Sequence, residues 1–183
     1  MELIDVYDRD GNRTGKVVRR GTPLPEGEYI LAVGMWIVNG KNEIFLTKRS
    51  PEKSYAPNKW ENTGGHVQAG EDCLAAVIRE LREETGVAVS AEQVTLLGGT
   101  MCGGEATGHY LGQTFGVRMD FDLCAVRLQS GETCDAQWVD YAAFCRMAES
   151  GALAPSVTAH LENYKESFLK FIGQAADALS EKG

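Results

Sequence analysis

One segment of the sequence, from Gly64 to Val89, restricts the fold of this chain more than any other. It joins a glycine-rich stretch to a run of apolar residues at helical spacing, formed by Leu74, Val77, Ile78 and Leu81. Gly86 stands where a helix would end, because glycine accepts the left-handed conformation found just past many helix termini. The sequence therefore predicts an amphipathic helix from about Asp72 to Thr85, with one face against a core.

Three carboxylates project from another side of this predicted helix. Glu80, Glu83 and Glu84 have i, i+3 and i+4 spacing, which brings their side chains together. Each like-charged pair on an exposed helix costs roughly 0.2–0.5 kcal/mol, so the cluster works against stability. One interpretation is a solvated charged face, helped by Arg79 and Arg82. The other is a site for a hard cation such as Mg²⁺ or Mn²⁺, because the preceding glycines let backbone carbonyls approach the carboxylates.

The remaining segments predict the fold class. Turn signals at Asp10-Gly11-Asn12 predict an N-terminal hairpin, whereas residues 51–71, rich in proline and glycine, predict mostly loop. Strands are predicted at YILAVGMWIV, EIFLTKRS, VTLLGGT, TFGVRMDFDLCAV and AQWVDY, and helices at Tyr141 to Glu149 and about Ser156 to Leu179. Strands with helices distributed between them indicate a single α/β or α+β domain.

Charge and hydropathy exclude several classes of partner. The net charge of −8 gives no general attraction for nucleic-acid polymers or anionic membranes, which bind proteins largely through Lys and Arg. The longest apolar run, Ile30 to Val38, is far shorter than a membrane span, and the N-terminus is acidic where a secretory signal would be basic. These features predict a cytoplasmic protein. A phosphate ligand would need a site that reverses the field locally, as a bound divalent cation does.

The segment from Gly65 to Val87 resembles the signature of Nudix hydrolases, G-x5-E-x7-R-E-U-x-E-E-x-G-U, where U is a bulky aliphatic residue. Every specified position matches: Gly65, Glu71, Arg79, Glu80, Leu81, Glu83, Glu84, Gly86 and Val87. The resemblance implies an α/β/α sandwich with a mixed sheet, in which the signature forms a loop, a helix and a second loop. It implies a Nudix hydrolase domain at 28–170, after a hairpin extension at 1–27 and before a C-terminal helix end and tail at 171–183.

The resemblance also implies an activity, the Mg²⁺-dependent hydrolysis of a diphosphate linkage in a small molecule such as a nucleoside diphosphate derivative, with Mn²⁺ as a substitute ion. Glu80 and Glu84 would be the main metal ligands, and the carbonyl of Gly64 a backbone ligand. Glu83 would be a further ligand or the base that deprotonates water, oriented by Arg79. The remaining signature residues would be structural: Gly65, Glu71, Leu81, Gly86 and Val87. Glu71 could alternatively be a partner close to the metal.

Five other residues are candidates for substrate contact. Lys48 and Arg49 end a predicted strand that leads into the glycine-rich segment, where a solvated strand end is equally consistent. Tyr55 lies in a proline-flanked loop and could stack on a base or sugar. His66 could contact substrate or metal, and Glu132 could be an extra acid near the metals, although an ordinary loop position explains each of them.

Two further expectations concern the surroundings of this site. The glycine-rich stretch around Glu105 is expected to form a mobile lid, with Glu105 as a weaker candidate acid. The N-terminal hairpin offers strand edges with which a second copy of the chain could pair in a homodimer. The expected partners are therefore a small-molecule diphosphate substrate and a second copy of the chain.

Two other functions are compatible with the same resemblance. Thr63 replaces the proline that many relatives have before the paired glycines, and with the N-terminal hairpin this resembles the subgroup near isopentenyl-diphosphate isomerases. Such an isomerase needs a cysteine near the glycine pair and a histidine-rich metal site, whereas this chain has Gly64 and Gly65 there and 3 histidines in all. A catalytically silent nucleotide-sensing module would lose signature glutamates, but this chain keeps them all. The sequence therefore favours the hydrolase.

Overall fold

The structure is a computed structural model that describes residues 2–102 and 109–174 of the chain. Its strands, numbered in chain order, are β1 (Leu3–Tyr7), β2 (Arg13–Arg19), β3 (Ile30–Val38), β4 (Ile44–Arg49), β5 (Trp60–Glu61), β6 (Thr63–His66), β7 (Val94–Cys102), β8 (Tyr110–Arg118) and β9 (Thr133–Val139). Its α-helices are α1 (Cys73–Thr85), α2 (Tyr141–Glu149) and α3 (Pro155–Phe171). No helix in the described ranges has the length and apolar character needed to cross a bilayer.

The central element is a mixed sheet in which seven of the strands take part. Its main order is β5-β4-β3-β8-β7, while β6 pairs with β3 and β9 pairs with β4. The pairing of β3 with β8 is parallel, and the other pairings in this sheet are antiparallel. The mixed sheet predicted for the chain is therefore present.

The side chains of β3 point alternately to the two faces of the sheet, and each face has its own hydrophobic core. Val33, Met35 and Ile37 pack in one core with Leu81 of α1. Trp36 and its neighbours pack in the other core with α2 and α3. Helices therefore cover both faces of the sheet, which is the layering expected of an α/β/α sandwich.

The predicted N-terminal hairpin forms a separate two-stranded antiparallel sheet, β1 with β2. It is fixed to the rest of the molecule, because Ile4 and Val6 are fully buried. Tyr7 and Tyr29 also exchange two backbone hydrogen bonds of 2.8 Å. The hairpin thus packs tightly against the large sheet.

Two segments differ from the sequence predictions. The region predicted as mostly loop at 51–71 also contains the short strands β5 and β6, because the glycines of β6 let its backbone pair closely with β3. An added Cβ at Gly64 would lie 2.2 Å from the carbonyl oxygen of Val33. The strand predicted to continue to Val126 ends at Arg118, since Asp122 accepts a hydrogen bond from the backbone N–H of Cys124 and starts a short 3-10 turn.

The last helix also differs in detail. It begins at Pro155, one residue earlier than predicted, and bends at Tyr164, whose φ of −136° is not helical. The helix ends at Phe171, and Gly173 follows with a φ of +74°, so the predicted continuation to Leu179 is wrong. Residues 175–183 of the predicted tail lie outside the described residues, as does Glu105 with its predicted lid.

Candidate active site

Helix α1 carries the signature carboxylates and is fixed at both ends. The side chain of Asp72 accepts a hydrogen bond from the backbone N–H of Ala75 at 2.8 Å, which caps the first turn. Gly86, at φ +73°, ends the helix and donates its N–H to the carbonyl of Arg82 at 2.9 Å. Leu81 is fully buried and Val87 is buried just beyond the helix. The helix therefore presents its glutamates from a rigid support.

Arg79 is the centre of the hydrogen-bond network around these glutamates. Its Nε and Nη2 both donate to the carboxylate of Glu71, each at 2.9 Å. Its Nη1 donates to Glu80 at 2.8 Å and to Glu83 at 3.1 Å. Nη2 also donates to the backbone carbonyl of His66 at 3.1 Å. The hydrogen bond to Glu71 is the main reason that the pKa of Arg79 is raised, so the guanidinium stays charged.

Glu80 lies directly against the backbone of β6. A Cβ added to Gly65 would lie 2.3 Å from the carboxylate carbon of Glu80, so only glycine leaves room for that carboxylate. Burial raises the pKa of the Glu80 carboxyl, and the hydrogen bond from Arg79 opposes this rise. The absence of a side chain at Gly65 therefore makes the space that the Glu80 carboxylate occupies.

Glu84 is the most buried of the signature glutamates, with 8% of its surface exposed. Its carboxylate accepts a hydrogen bond from the backbone N–H of Gly64 at 3.3 Å. Burial raises the pKa of Glu84 well above its ordinary value, and repulsion from Glu61 and Glu80 raises it further. A buried carboxylate among other carboxylates is costly unless a cation compensates its charge.

These residues supply the donors that a hard divalent cation requires. Glu84 offers buried oxygens, Glu80 offers oxygens on a side chain that is 12% exposed, and Glu83 offers half-exposed ones. The His66 carbonyl of β6 lies beside Arg79, which holds Glu80 and Glu83. Within 2–102 and 109–174, however, no three His, Cys, Asp or Glu side chains are already arranged around a common ion position. The ion pairs with Nη1 of Arg79 hold Glu80 and Glu83 next to each other. The donor chemistry of these carboxylates fits a divalent ion.

A cleft of about 410 Å³ lies beside Glu84 and the glycines of β6. Among the described residues, three Lys and Arg side chains line it: Arg49, Arg20 just after β2, and Lys53 after β4. Arg20 and Lys53 were not singled out from the sequence. Each of the three pairs with a carboxylate, Arg20 with Glu2, Arg49 with Glu61, and Lys53 with Glu132. The cleft thus combines carboxylates near α1 with a set of cations that could face the negative oxygens of a substrate.

Arg49 is held firmly at the cleft. Its Nη1 donates to Glu61 at 2.6 Å and its Nε donates to the carbonyl of Tyr55 at 2.9 Å. The guanidinium also lies 5.5 Å from the centre of the Tyr55 ring. The Tyr55 hydroxyl accepts a hydrogen bond from the backbone N–H of Ser156 at 3.1 Å, at the start of α3. Tyr55 therefore links the cleft to the N-terminus of that helix.

The other predicted substrate residues divide into two groups. His66 and Glu132 line the cleft, and burial lowers the pKa of His66 to about 4, which makes the imidazole neutral at pH 7. The Nδ1 atom of His66 is buried and has no hydrogen-bond partner in the described part of the chain. Lys48 does not line the cleft, because it neighbours Arg49 in β4 and points to the other face, where its Nζ lies 5.7 Å from the Trp60 ring.

The acidic residue that sequence reasoning missed is Glu61. It lies in β5, within a segment predicted as loop, and its only local signal was its position beside Trp60. Burial raises the pKa of Glu61, and the charge of Arg49 opposes the rise. Arg20 gave no local signal, because it lies far from the signature in sequence and reaches the cleft only through the packing of the hairpin.

Comparison with known proteins gives a consistent set of relatives. A model of the NUDIX domain family matches residues 28–161. Nudix hydrolase 3 of Arabidopsis thaliana is 38% identical over 88 residues, which are 47% of this chain and 11% of that protein. An uncharacterized Nudix hydrolase of Listeria monocytogenes is 28% identical over 159 residues, covering 85% of this chain and 89% of that protein. An isopentenyl-diphosphate Delta-isomerase of Escherichia coli is 27% identical over 146 residues, covering 79% and 80%.

Solved structures with low sequence identity share the fold. A crystal structure from Deinococcus radiodurans aligns with a TM-score of 0.71 at 21% identity, over 89% of this chain and 99% of the other. The NUDIX domain of NrtR from Shewanella oneidensis, crystallised with ADP ribose, aligns with a TM-score of 0.61 at 19% identity, over 76% and 88%. The predicted fold class, with its mixed sheet, is confirmed.

Proposed function

Because the chain belongs to the Nudix hydrolase family, as its signature predicted, we propose that it cleaves a diphosphate linkage in a small molecule. The reaction requires a divalent metal ion, for which Mg²⁺ is the first candidate. The observation that carries this proposal is the burial of Glu84 beside Glu61 and Glu80, at one side of a cleft that cations also line. This combination suits a ligand that brings both a cation and negatively charged oxygens. A diphosphate with its divalent ion is such a ligand.

Each group of residues has a role in the proposed reaction. Glu80, Glu84 and Glu83 would hold the ion, with the Gly64 carbonyl as a backbone ligand. The ion would neutralise diphosphate oxygens and make a water molecule more acidic. Glu83, with 47% of its side chain exposed, is the carboxylate best placed to accept a proton from water. Arg79 orients Glu83 and Glu80 by its two Nη1 hydrogen bonds.

The cleft supports a nucleoside diphosphate derivative as the substrate class. Its volume of about 410 Å³ lies within the usual range of small-molecule sites. Arg49 and Lys53 can meet phosphate oxygens, and Tyr55 offers an aromatic face for a base or sugar. The related NUDIX domain from Shewanella oneidensis was crystallised with ADP ribose, a molecule of this class. The net charge of −8 disfavours nucleic-acid polymers and anionic membranes as alternatives.

Because an isomerase is among the relatives, the alternative activity to test is the isomerisation of isopentenyl diphosphate. The described lining of the cleft includes no cysteine, and Gly64 and Gly65 occupy the place where such an isomerase needs one. The lining is also rich in charged and polar groups, which suits a polar ligand more than an isoprenyl chain. The hydrolase is therefore the better account of the site.

One panel experiment tests the proposal. Nucleotide sugars, dinucleotides, nucleoside triphosphates and prenyl diphosphates are incubated with the protein and Mg²⁺, and the products are identified by mass spectrometry. We expect metal-dependent cleavage of a diphosphate linkage, which Glu84→Gln and Glu80→Gln abolish while Glu166→Gln, at an exposed position on α3, retains it. Full activity of both signature variants would disprove the assigned site. Formation of the allylic isomer without phosphate release would establish the isomerase instead.

A further inference from the structure

The N-terminal hairpin contacts the segment that leads into α1 at three consecutive residues. The N–H of Ala69 donates to the carbonyl of Leu3 at 2.8 Å. The N–H of Gly70 donates to the carboxylate of Asp5 at 2.9 Å. The Nη2 of Arg13 donates to the carbonyl of Glu71 at 2.9 Å. The hairpin therefore binds the backbone of this segment through both donors and acceptors.

Asp5 and Arg13 act as one unit on the face of the hairpin. The Nε of Arg13 lies 3.3 Å from the carboxylate of Asp5, so the two side chains that contact this segment also form an ion pair with each other. Asp5 is largely buried, with 14% of its side chain exposed. Its neighbours in β1, Ile4 and Val6, are fully buried and anchor the strand. The buried side chains of Ile4 and Val6 therefore fix the position of Asp5.

The contacted segment needs such support because of its conformation. Gly70 has a φ of +83°, in the left-handed region, and turns the chain just before Glu71. The side chain of Glu71 also accepts a hydrogen bond from the N–H of Gln68 at 3.1 Å, which closes the turn. A change in this turn would move the carboxylate of Glu71.

Glu71 connects the turn to the signature carboxylates. It accepts two hydrogen bonds from Arg79, and Arg79 in turn donates to Glu80 and Glu83. An unbroken series of hydrogen bonds and covalent bonds therefore runs from Asp5 and Arg13 to the carboxylates. Groups that orient metal ligands in this way commonly change metal affinity when they are removed.

We propose that Asp5 and Arg13 are positioning residues for the carboxylate site, which they set by fixing Gly70 and Glu71 and thereby orienting Arg79. The hairpin is then part of the active site as well as part of the core. This inference rests on the proposed function only in that the carboxylates bind a divalent ion.

The test measures binding of Mn²⁺ alone to the free protein, by electron paramagnetic resonance and without substrate. We expect Asp5→Ala to weaken Mn²⁺ binding about 10-fold, because the N–H of Gly70 loses its acceptor and the guanidinium of Arg13 loses its ion-pair partner. Asp5→Asn should restore most of the affinity, since its amide oxygen can still accept from Gly70. The matched control is Lys16→Met on the same hairpin, which removes the ion pair of Lys16 with Glu28 and leaves the turn at Gly70 untouched.

Unchanged Mn²⁺ affinity in a folded Asp5→Ala protein would overturn the proposal, as would equal losses in Asp5→Ala and Lys16→Met. If Asp5→Ala does not fold, Arg13→Met decides, because half of the Arg13 side chain is exposed and its loss leaves no cavity. Weakened Mn²⁺ binding by Arg13→Met supports the proposal, and wild-type affinity overturns it.

A double-mutant cycle separates positioning from general stabilisation. If Arg13 acts through Arg79, the effect of Arg13→Met on Mn²⁺ affinity should be smaller in a protein that already carries Arg79→Lys. Equal effects in both backgrounds would overturn the proposed route. Because the readout is Mn²⁺ binding, a wild-type protein that binds Mn²⁺ but hydrolyses no diphosphate would contradict the proposed function while leaving the positioning role intact.

Discussion

At the scale of single residues, Glu84 shows most directly how a proposed metal ligand conflicts with stability. Its carboxylate is buried next to other carboxylates and receives one backbone hydrogen bond, from Gly64. A folded protein without a bound cation must either keep this charge uncompensated or keep the proton on it. We therefore expect the Glu84 carboxylate to lower the stability of the metal-free protein and to support the proposed hydrolysis.

We predict that Glu84→Gln stabilises the metal-free protein by about 0.5–2 kcal/mol while it lowers hydrolysis by more than about 100-fold. Glutamine keeps the shape and can still accept a hydrogen bond from Gly64, but it removes the buried charge. Chemical denaturation with a chelator and steady-state assays with Mg²⁺ measure the two effects. A destabilised variant, or one with normal turnover, would contradict this assignment.

The pH dependence of stability has a definite sign. Burial raises the pKa of Glu84 in the folded protein, so the unfolded chain releases this proton at a lower pH than the folded chain. The metal-free protein should therefore lose stability as the pH rises from the ordinary glutamate range through the raised folded value. Glu84→Gln should remove this part of the slope, as denaturation curves with a chelator at several pH values would show.

Arg79 makes a set of contacts that a lysine could not reproduce. A lysine in its place keeps the charge but cannot donate two parallel hydrogen bonds to Glu71 while also contacting Glu80 and Glu83. Arg79→Lys should therefore reduce kcat by about 10–100-fold. Arg82→Lys, at an exposed position three residues later on the same helix, is the matched control and should leave kcat unchanged.

At the scale of elements, β6 and α1 fit each other through the paired glycines. The two glycines face different neighbours, so they should respond differently to alanine. A Cβ at Gly65 would meet the Glu80 carboxylate at 2.3 Å, whereas a Cβ at Gly64 would meet the carbonyl oxygen of Val33 at 2.2 Å. The first obstacle is a side chain that can turn away, and the second is the backbone of a central strand.

We predict that Gly65→Ala loses metal binding and activity with a modest loss of stability, and that Gly64→Ala loses mainly stability, by about 1–3 kcal/mol. Thermal unfolding and Mn²⁺ titration of both variants measure the difference. The control is Gly99→Ala in β7, where the nearest atom to an added Cβ lies at 3.4 Å. The same pattern of losses for Gly64 and Gly65 would show that the two positions are not distinct.

The sequence allowed α1 to be predicted well, since apolar spacing and Gly86 are local features. The resemblance to the Nudix signature implied that Arg79 orients Glu83, and the structure places the two side chains at a hydrogen-bond distance of 3.1 Å. The contact of Arg79 with Glu71 depends on the turn at Gly70, and the places of Arg20 and Glu61 in the cleft depend on how strands pack. Such contacts join distant parts of the chain, so periodicity and motif spacing contain no direct signal for them.

At the scale of the whole molecule, the net charge of −8 and the proposed acidic site lead us to expect that divalent ions stabilise the protein in two ways. Any salt screens the repulsion among surface carboxylates, and this effect depends mainly on ionic strength. An ion bound at the signature site stabilises only the folded state and does so by mass action. The two contributions can be separated because only the second requires Glu80 and Glu84.

We predict that Mg²⁺ at about ten times its dissociation constant stabilises the wild-type protein by roughly 1.4 kcal/mol, which for a chain of this size is a rise in Tm of about 3–6 °C. NaCl at the same ionic strength should give a smaller rise, and a protein carrying Glu80→Gln and Glu84→Gln should respond equally to the two salts. A chelator should return the wild-type Tm to its metal-free value. If Mg²⁺ still raises the Tm of the double variant more than NaCl does, the ion binds elsewhere. The ligands of the proposed site would then be absent, although Mg²⁺ would still stabilise the folded state.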